Sequence, residues 1–481
     1  MSFTSFPFLF LFLPLLLAAY YLTGRRFDGR VPRAVLLAAS IGFYALFGLY
    51  ALALLCLLAA ASYLLNRSLL RAARGRGLIL AAGVLLNLAP LLLFKYAQFF
   101  CSEILRLDRV VSFGILMPVG ISFYTFKQLA FLIDGYRKKN TEYRFVEYAQ
   151  YVFFFPQITS GPIEIHDRFV EQLRDPRLCV ADADRLSEGF ARFTLGFAKK
   201  LLIADRLAGL AAVCFAPREE ANSTMALMAM FAFSLQIYFD FSGYSDMAIG
   251  IGKLLGFETI ENFDSPYRAR TVGEFWKRWH ISLTGFFTKY VYIPLGGNRK
   301  GLARTCLNIL IVFLLSGFWH GADWTFLFWG LVYGLLLVLE RVVGLKAERV
   351  PTLLGRTLTF LIVSALWVFF RADSMSAALA LFREMFAFRI HALSTPAVDA
   401  LSIPPVKWIL EQLPAKWWLE QIWPLGFVGA AFLLTQLPLN SIAICREKRF
   451  LSRPWAYYLV ILFYITIMSV SKTTSFIYWD F

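Results

Sequence analysis

An all-α polytopic membrane protein is the fold class this sequence predicts, and three observations predict it. Hydrophobic residues make up 59% of the 481, with 49 phenylalanines among them. Charged residues make up only 17%, against about 25% in ordinary soluble domains. Several runs of about 18–25 residues carry almost no charge, enough for a helix to cross a hydrocarbon layer of roughly 30 Å. In that solvent each backbone N–H and C=O must be satisfied within the chain, which leaves helices as the spanning element. The net charge is +16, yet its basic residues sit in short loops, as they do beside membrane spans. No compact basic domain or aromatic–basic module points to nucleic acid.

The first apolar run, 3–23, has no basic stretch ahead of it. It is also longer than the apolar core of a signal peptide, so it reads as a retained helix. Arg25, Arg26, Arg30 and Arg33 follow it directly, and the positive-inside rule then places the N-terminus outside the cytoplasm. Further apolar segments fall near 33–50, 51–66, 78–100, 111–133, 146–163 and 190–215. The rest fall near 225–256, 303–320, 324–343, 356–371, 424–439 and 454–471. The prediction is roughly 11–13 membrane-embedded helices in a single domain, residues 1–481. Two of them are interrupted: PVGISFYTF (118–126) and FFFPQITSGPI (153–163) carry Pro and Gly inside apolar stretches. Such breaks persist at membrane depth only where protein or a wet cavity satisfies the backbone. They read as broken or re-entrant helices lining an interior.

Residues 258–304 differ from the rest. Arg268, Arg270, Lys277, Arg278, Lys289, Arg299, Lys300 and Arg304 stand there among aromatic residues, against Glu258, Glu261, Asp264 and Glu274. The stretch is too polar to span and too apolar to float free, which predicts an interfacial segment on the cytoplasmic side. Residues 385–420 are predicted to form an external loop with Trp417 and Trp418 at its edge. Arg446, Lys448, Arg449 and Arg453 mark a cytoplasmic loop, and the helix after it carries the tail 472–481 outward.

Polar side chains inside apolar spans mark functional sites by default, because lipid leaves them unsatisfied. Gln236, Asp240, Ser242, Tyr244, Ser245 and Asp246 crowd one run, QIYFDFSGYSDMAIGIGKLLGF. His280 follows in EFWKRWHISLTGFF and His320 in LLSGFWHGADWTF. A lone buried histidine is more often a satisfied core residue. Two in adjacent segments, with Asp246 ahead of them, point to a shared polar cavity. Neutral imidazole is the usual general base for taking a proton from a hydroxyl near pH 7. The cysteines, Cys56, Cys101, Cys179, Cys214, Cys306 and Cys445, are scattered without paired ligand spacing. No H-x-x-x-H, P-loop, dinucleotide fingerprint or G-x-S-x-G elbow occurs either. Neither a metal site nor a disulfide framework is expected.

FDFSGYSDMAIGIGKLLGF, ENFDSPYRARTVGEFWKRWHISLTGFFTKYVYIPLGGNRKG and GFWHGADWTFLFWGLVYG resemble the membrane-bound O-acyltransferases. Among these they are most similar to the bacterial branch that acetylates alginate and peptidoglycan. MPVGISFYTFKQLAFLIDGYR, FFPQITSGPI, GFAKKLLIAD and the opening FLFLFLPLLLAAYYL resemble the same branch, and 385–460 resembles it least. The resemblance implies helices around a central tunnel, with His320 catalytic and His280 near it on the cytoplasmic side. It also implies acetyl-CoA as donor, with Lys277, Arg278, Arg299 and Lys300 available to its phosphates. A cell-envelope polysaccharide would be the acceptor, a periplasmic esterase-like O-acetyltransferase the partner, and the lipids of the bacterial inner membrane the surroundings. The chain closes on SFIYWDF, in which Phe476, Tyr478 and Phe481 form the F-x-Y-x-x-F pattern of envelope-acylating systems. Its tyrosine is expected to carry the acyl group. Two alternatives stand beside this reading. One is a D-alanyl transferase for teichoic acids; the other is a proton-coupled transporter, whose inverted halves are not visible in the sequence.

Overall fold

The computed structural model describes residues 1–106, 117–138, 142–217, 222–401 and 416–470. Its main helices, in chain order, begin with α1 (Leu13–Arg26), α2 (Arg30–Ala45), α3 (Leu49–Arg71), α4 (Arg76–Leu91), α5 (Ile121–Tyr136) and α6 (Phe145–Phe153). Then come α7 (His166–Arg174), α8 (Ala183–Ala198), α9 (Asp205–Phe215), α10 (Ser223–Leu254), α11 (Val272–Arg278) and α12 (Ile281–Phe287). The last are α13 (Gly301–His320), α14 (Trp324–Val343), α15 (Thr352–Arg371), α16 (Met375–Met385), α17 (Lys416–Gln436) and α18 (Arg453–Ile467). No strand occurs among the described residues. Trp417 and Trp418 open α17. The tail with Phe476, Tyr478 and Phe481 lies outside the described residues.

Among the described residues, 7 helices are long and apolar enough to cross a membrane: Phe8–Arg26, Leu49–Arg71, Arg76–Ile104, Ser223–Leu254, Gly301–His320, Trp324–Val343 and Thr352–Arg371. This is a multi-pass membrane protein. Among the remaining apolar segments α17 has 21 residues, whereas α2 and α5 have 16 each and α18 has 15. About 20 residues are needed to span alone. Shorter ones are sustained by packing against their neighbours.

The two interrupted segments break where Pro and Gly stand, and they meet. α5 starts only after Pro118 and left-handed Gly120, and a Cβ on Gly120 would lie 2.3 Å from the Ile158 carbonyl oxygen. The second segment stops at Phe153, turns once through Phe155–Ile158 and then runs extended. Two irregular backbones thus face each other inside the protein, which is where lipid cannot reach them.

α10 is the central element: 78% of its apolar window is buried, against 17% for the span that contains α4. α8 lies against it backbone to backbone. A Cβ on Gly196 would come 2.5 Å from the Gly243 carbonyl oxygen, and one on Gly250 would come 2.6 Å from Phe193 N. Close approach of small residues is the usual means of helix association in lipid. The charges of α10 are met across the same contact. Arg192 Nε and Lys199 Nζ reach the Asp246 carboxylate at 2.7 and 2.6 Å, and Ser441 donates to it at 2.6 Å. Lys200 lies between Asp205 (2.9 Å) and Asp240 (3.0 Å). Removing one member of such a buried pair costs about 3–5 kcal/mol, because the other is left uncompensated. Asp246 is therefore committed to holding α8 and α10 together.

α13 and α14 form a hairpin by the same device. A Cβ on Gly317 would lie 2.4 Å from the Phe326 carbonyl oxygen, and one on Gly330 would lie 2.4 Å from that of Phe313. This contact fixes the end of α13, where His320 stands.

Candidate active site

His320 is the last residue of α13 and only 5% exposed. Its ring is edged by Trp319, Trp329 and Phe370, at centroid distances of 4.7, 5.3 and 5.1 Å. A helix end leaves carbonyls without partners, and here a neighbouring span supplies them. Tyr96 Oη donates to Phe318 O at 2.8 Å, and Lys95 Nζ donates to Trp319 O at 2.8 Å.

His280 is 1% exposed and sits at φ +44°, a left-handed conformation unusual for a side-chain-bearing residue. The turn aims its ring inward, between Phe241 (4.7 Å) and Phe123 (6.5 Å). Its Nδ1 lies 3.1 Å from Asn262 Oδ1. That same oxygen accepts the Ser282 backbone N–H (3.2 Å) and the Ser282 hydroxyl (2.9 Å). An atom that takes a backbone N–H is an acceptor, so Nδ1 must carry the imidazole proton. Nε2 is then the bare nitrogen, and it has no hydrogen-bond partner among the described residues. Asn262 Nδ2 donates in turn to Ser245 Oγ at 3.2 Å. Ser245 is thus the member of the polar run in α10 that serves a histidine. The two imidazoles share one indole: Trp319 lies 4.7 Å from His320 and 6.5 Å from His280.

Cavities adjoin this aromatic group. One of about 740 Å³ is lined by Trp276, Phe287, Tyr292, Phe313 and Ser316, with Lys277, Arg341 and Lys346 also on its walls. A neighbour of about 330 Å³ shares Trp276 and Lys277 and adds Lys289. A third pocket, of about 50 Å³, is lined by Lys95, Ser122, Phe123, Thr159, Trp319 and His320. Between the large cavity and His320 stand Trp276 and Trp329, 5.7 Å apart.

The residues expected to meet a donor fall into different settings. Lys277 is exposed and lines both larger cavities. Arg278 is bound to Glu274 at 2.9 Å and donates to Asp264 O at 3.2 Å. Arg299 and Lys300 are exposed on the turn before α13. Tyr478 falls outside the described residues.

Sequence reasoning passed over Lys95, Asn262 and His166. Lys95 had a signal, as a lone cation in LLLFKYAQFF. Asn262 had none beyond membership of the quoted block, since 18 residues separate it from His280. His166 is the centre of a polar knot. Its Nε2 faces Asp134 (3.3 Å) and its Nδ1 faces Asp167 (3.0 Å), while Lys289 Nζ and Tyr290 Oη both reach Asp134 at 2.7 Å. These three acid and imidazole groups are close enough to be considered as metal ligands. Each ring nitrogen, however, faces a different carboxylate, and an ammonium already neutralises Asp134. That is the geometry of an ion-pair network, and it anchors Lys289 and Tyr290 beside the larger cavities.

Burial pushes His166 towards its neutral form, but the bonds to Asp134 and Asp167 outweigh this and raise its pKa above the usual value. A raised folded-state pKa stabilises fully below the unfolded value of about 6.5 and is lost as pH rises through the folded one. Thermal unfolding in detergent should therefore show a midpoint that falls above pH 6.5 more steeply in the parent than in His166→Gln. Parallel pH curves would mean the imidazole is not held as a cation.

Comparison with known proteins agrees with the sequence resemblance. The model of the MBOAT, membrane-bound O-acyltransferase family, matches residues 36–371. The chain is 40% identical over 410 residues to the "Probable alginate O-acetylase" of Pseudomonas aeruginosa, covering 82% of this chain and 76% of that protein. It is 33% identical over 412 residues to the peptidoglycan O-acetyltransferase of Helicobacter pylori, covering 79% and 78%. With the teichoic acid D-alanyltransferase of Bacillus subtilis, identity is 27% over 303 residues, covering 59% and 75%.

Proposed function

Since this chain belongs to the membrane-bound O-acyltransferase family, we propose that it draws acetyl from acetyl-CoA at the cytoplasmic face of the inner membrane and delivers it to an extracytoplasmic polysaccharide of alginate or peptidoglycan type. The chain is an O-acyltransferase, and that assignment removes the transporter alternative. Greater identity over more of the chain supports acetyl transfer over D-alanyl transfer.

The observation that carries the reading is the pair of histidines on one indole, with a small pocket at His320 and a large cavity beyond Trp276 and Trp329. A donor entering by the larger cavity and an acceptor entering by the smaller would meet at His320. There His320 takes the proton of the attacking hydroxyl. His280, with its tautomer set by Asn262, offers a bare Nε2 towards the same interior and assists the proton's passage. Tyr478 is the first acceptor, and a periplasmic esterase-like transferase moves the acetyl from it to the polymer.

Lys277 is the basic residue best placed to meet the phosphates of a coenzyme A donor, since it lines both larger cavities. Lys277→Glu should raise the apparent KM for acetyl-CoA more than it lowers kcat, measured on the full-length protein in liposomes. Arg278 is a poorer probe, because Glu274 already holds it. An unchanged KM would assign Lys277 to topology alone, and donor entry would then need another route. Transfer of labelled acetyl from acetyl-CoA by the parent protein tests the reading as a whole; a parent that leaves acetyl-CoA intact would sink it.

A further inference from the structure

The small cavity against His320 holds a cation that the chemistry above does not use. Lys95 lies in the π-helical turn Leu92–Tyr96 of an apolar span. Single π turns inside helices often coincide with functional sites. Its ammonium has three N–H groups, and the hydrogen bond it makes among the described residues is the one to Trp319 O, at 2.8 Å. It forms no ion pair with a carboxylate there. A cation within an apolar span is costly, so it needs a compensating role.

Beside Lys95 the wall of this cavity is partly apolar, with Met117, Val119, Ile121 and Phe123, and partly polar. Trp319, 6% exposed, has an indole N–H without a hydrogen-bond partner among the described residues, and Lys95 Nζ lies 5.8 Å from its ring. Ser122 and Thr159 bring hydroxyls to the lining, that of Thr159 already hydrogen-bonded to Tyr244 Oη. The first turn of α5 lies there too, although the N–H groups of Ile121 and Phe123 are already bonded to Pro118 O and Gly120 O. The Lys95 ammonium and the Trp319 indole N–H, beside a buried imidazole, are suited to hold negative charge.

We propose that Lys95 is a catalytic residue whose ammonium, together with the Trp319 indole N–H, stabilises the oxyanion of the transfer reaction. The proposal rests on the acetyl-transfer reading above. As the acceptor O–H gives its proton to His320, the oxygen bonds to the acyl carbon. The C=O π pair moves to the carbonyl oxygen, which becomes the oxyanion beside Lys95. Collapse restores the carbonyl and breaks the C–S bond, and the departing thiolate takes the proton from His320. Preorganised donors of this kind act where charge develops, and removing one costs about 10²–10³-fold in kcat.

The rival role is structural, since the same ammonium caps the end of α13. Two variants separate the roles. Lys95→Gln keeps an N–H donor for Trp319 O but carries no charge, whereas Lys95→Arg keeps the charge. The full-length proteins in lipid nanodiscs, with acetyl-CoA as donor and the periplasmic esterase-like transferase present to pass acetyl on to alginate or peptidoglycan oligosaccharides, give kcat, KM and the unfolding midpoint. Lys95→Gln is expected to lose about 10²-fold or more in kcat, with donor KM and midpoint at the parental values. Lys95→Arg should keep much more of the rate. Parental kcat in Lys95→Gln overturns the proposal. So does an equal loss in both variants that tracks a lowered midpoint. A parent inactive with acetyl-CoA overturns the transfer reading and this proposal with it, whereas an active parent with an active Lys95→Gln removes only the role of the lysine.

Discussion

His320→Ala should abolish polymer acetylation while the protein is still made, inserted and folded. The imidazole is enclosed by Trp319, Trp329 and Phe370 and lines the pocket that also holds Lys95. Its backbone position is set by the contact of Gly317 and Gly330 and by the bonds from Lys95 and Tyr96. Neither device involves the ring, so the truncation removes the base and leaves its scaffold. General-base catalysis contributes about 10²–10⁴-fold, and a hydroxyl nucleophile without a base attacks a thioester poorly at neutral pH. Acetylation should be measured by release of acetate from the polymer, beside an unfolding midpoint and expression level. Normal acetylation at normal expression would remove His320 from the chemistry. His280 would then be the remaining imidazole at the site.

The second large effect is expected at Tyr478, through the F-x-Y-x-x-F pattern. A phenol has an unperturbed pKa of about 10, so a neighbouring base is required to make it nucleophilic at neutral pH. His320 is the base this reading assigns, which couples the two predictions. Tyr478→Phe keeps the ring and removes only the oxygen. If the tyrosine is the relay, polymer acetylation is lost and no acetyl-tyrosine is found in peptide mass spectra, while acetyl-CoA binding is unchanged. An aromatic anchor at the membrane interface would instead give near-parental activity. That outcome would mean transfer runs from donor to polymer without a protein-borne ester.

Much of this protein was legible in its sequence, because lipid is a strict solvent. A chain that must satisfy every backbone group within itself has to be helical wherever it spans, so length and hydropathy alone mark α3, α10, α13, α14 and α15. The same strictness made His280 and His320 conspicuous, since polar groups at such positions need a reason. It also located the breaks near Pro118 and Pro156, although Pro90 and Pro424 stand inside helices, so a proline alone does not decide where a helix breaks.

Tertiary structure decided what each polar residue does, since partners distant in sequence are not encoded by spacing. Asp246 stands in the same polar run as Ser245, yet one closes an ion pair with Arg192 and Lys199 and the other steadies Asn262 beneath His280. Adjacent residues on a helix point about 100° apart, and only packing determines which neighbour each one meets. Lys277 and Arg278 differ in the same way: one lines two cavities and the other is bound to Glu274. The sequence by itself determined a helical membrane protein with two buried histidines. Only the fold brought Lys95, from a span more than 200 residues away, to the carbonyl beside His320, because a hydrogen bond needs two atoms about 3 Å apart and is indifferent to the chain that separates them.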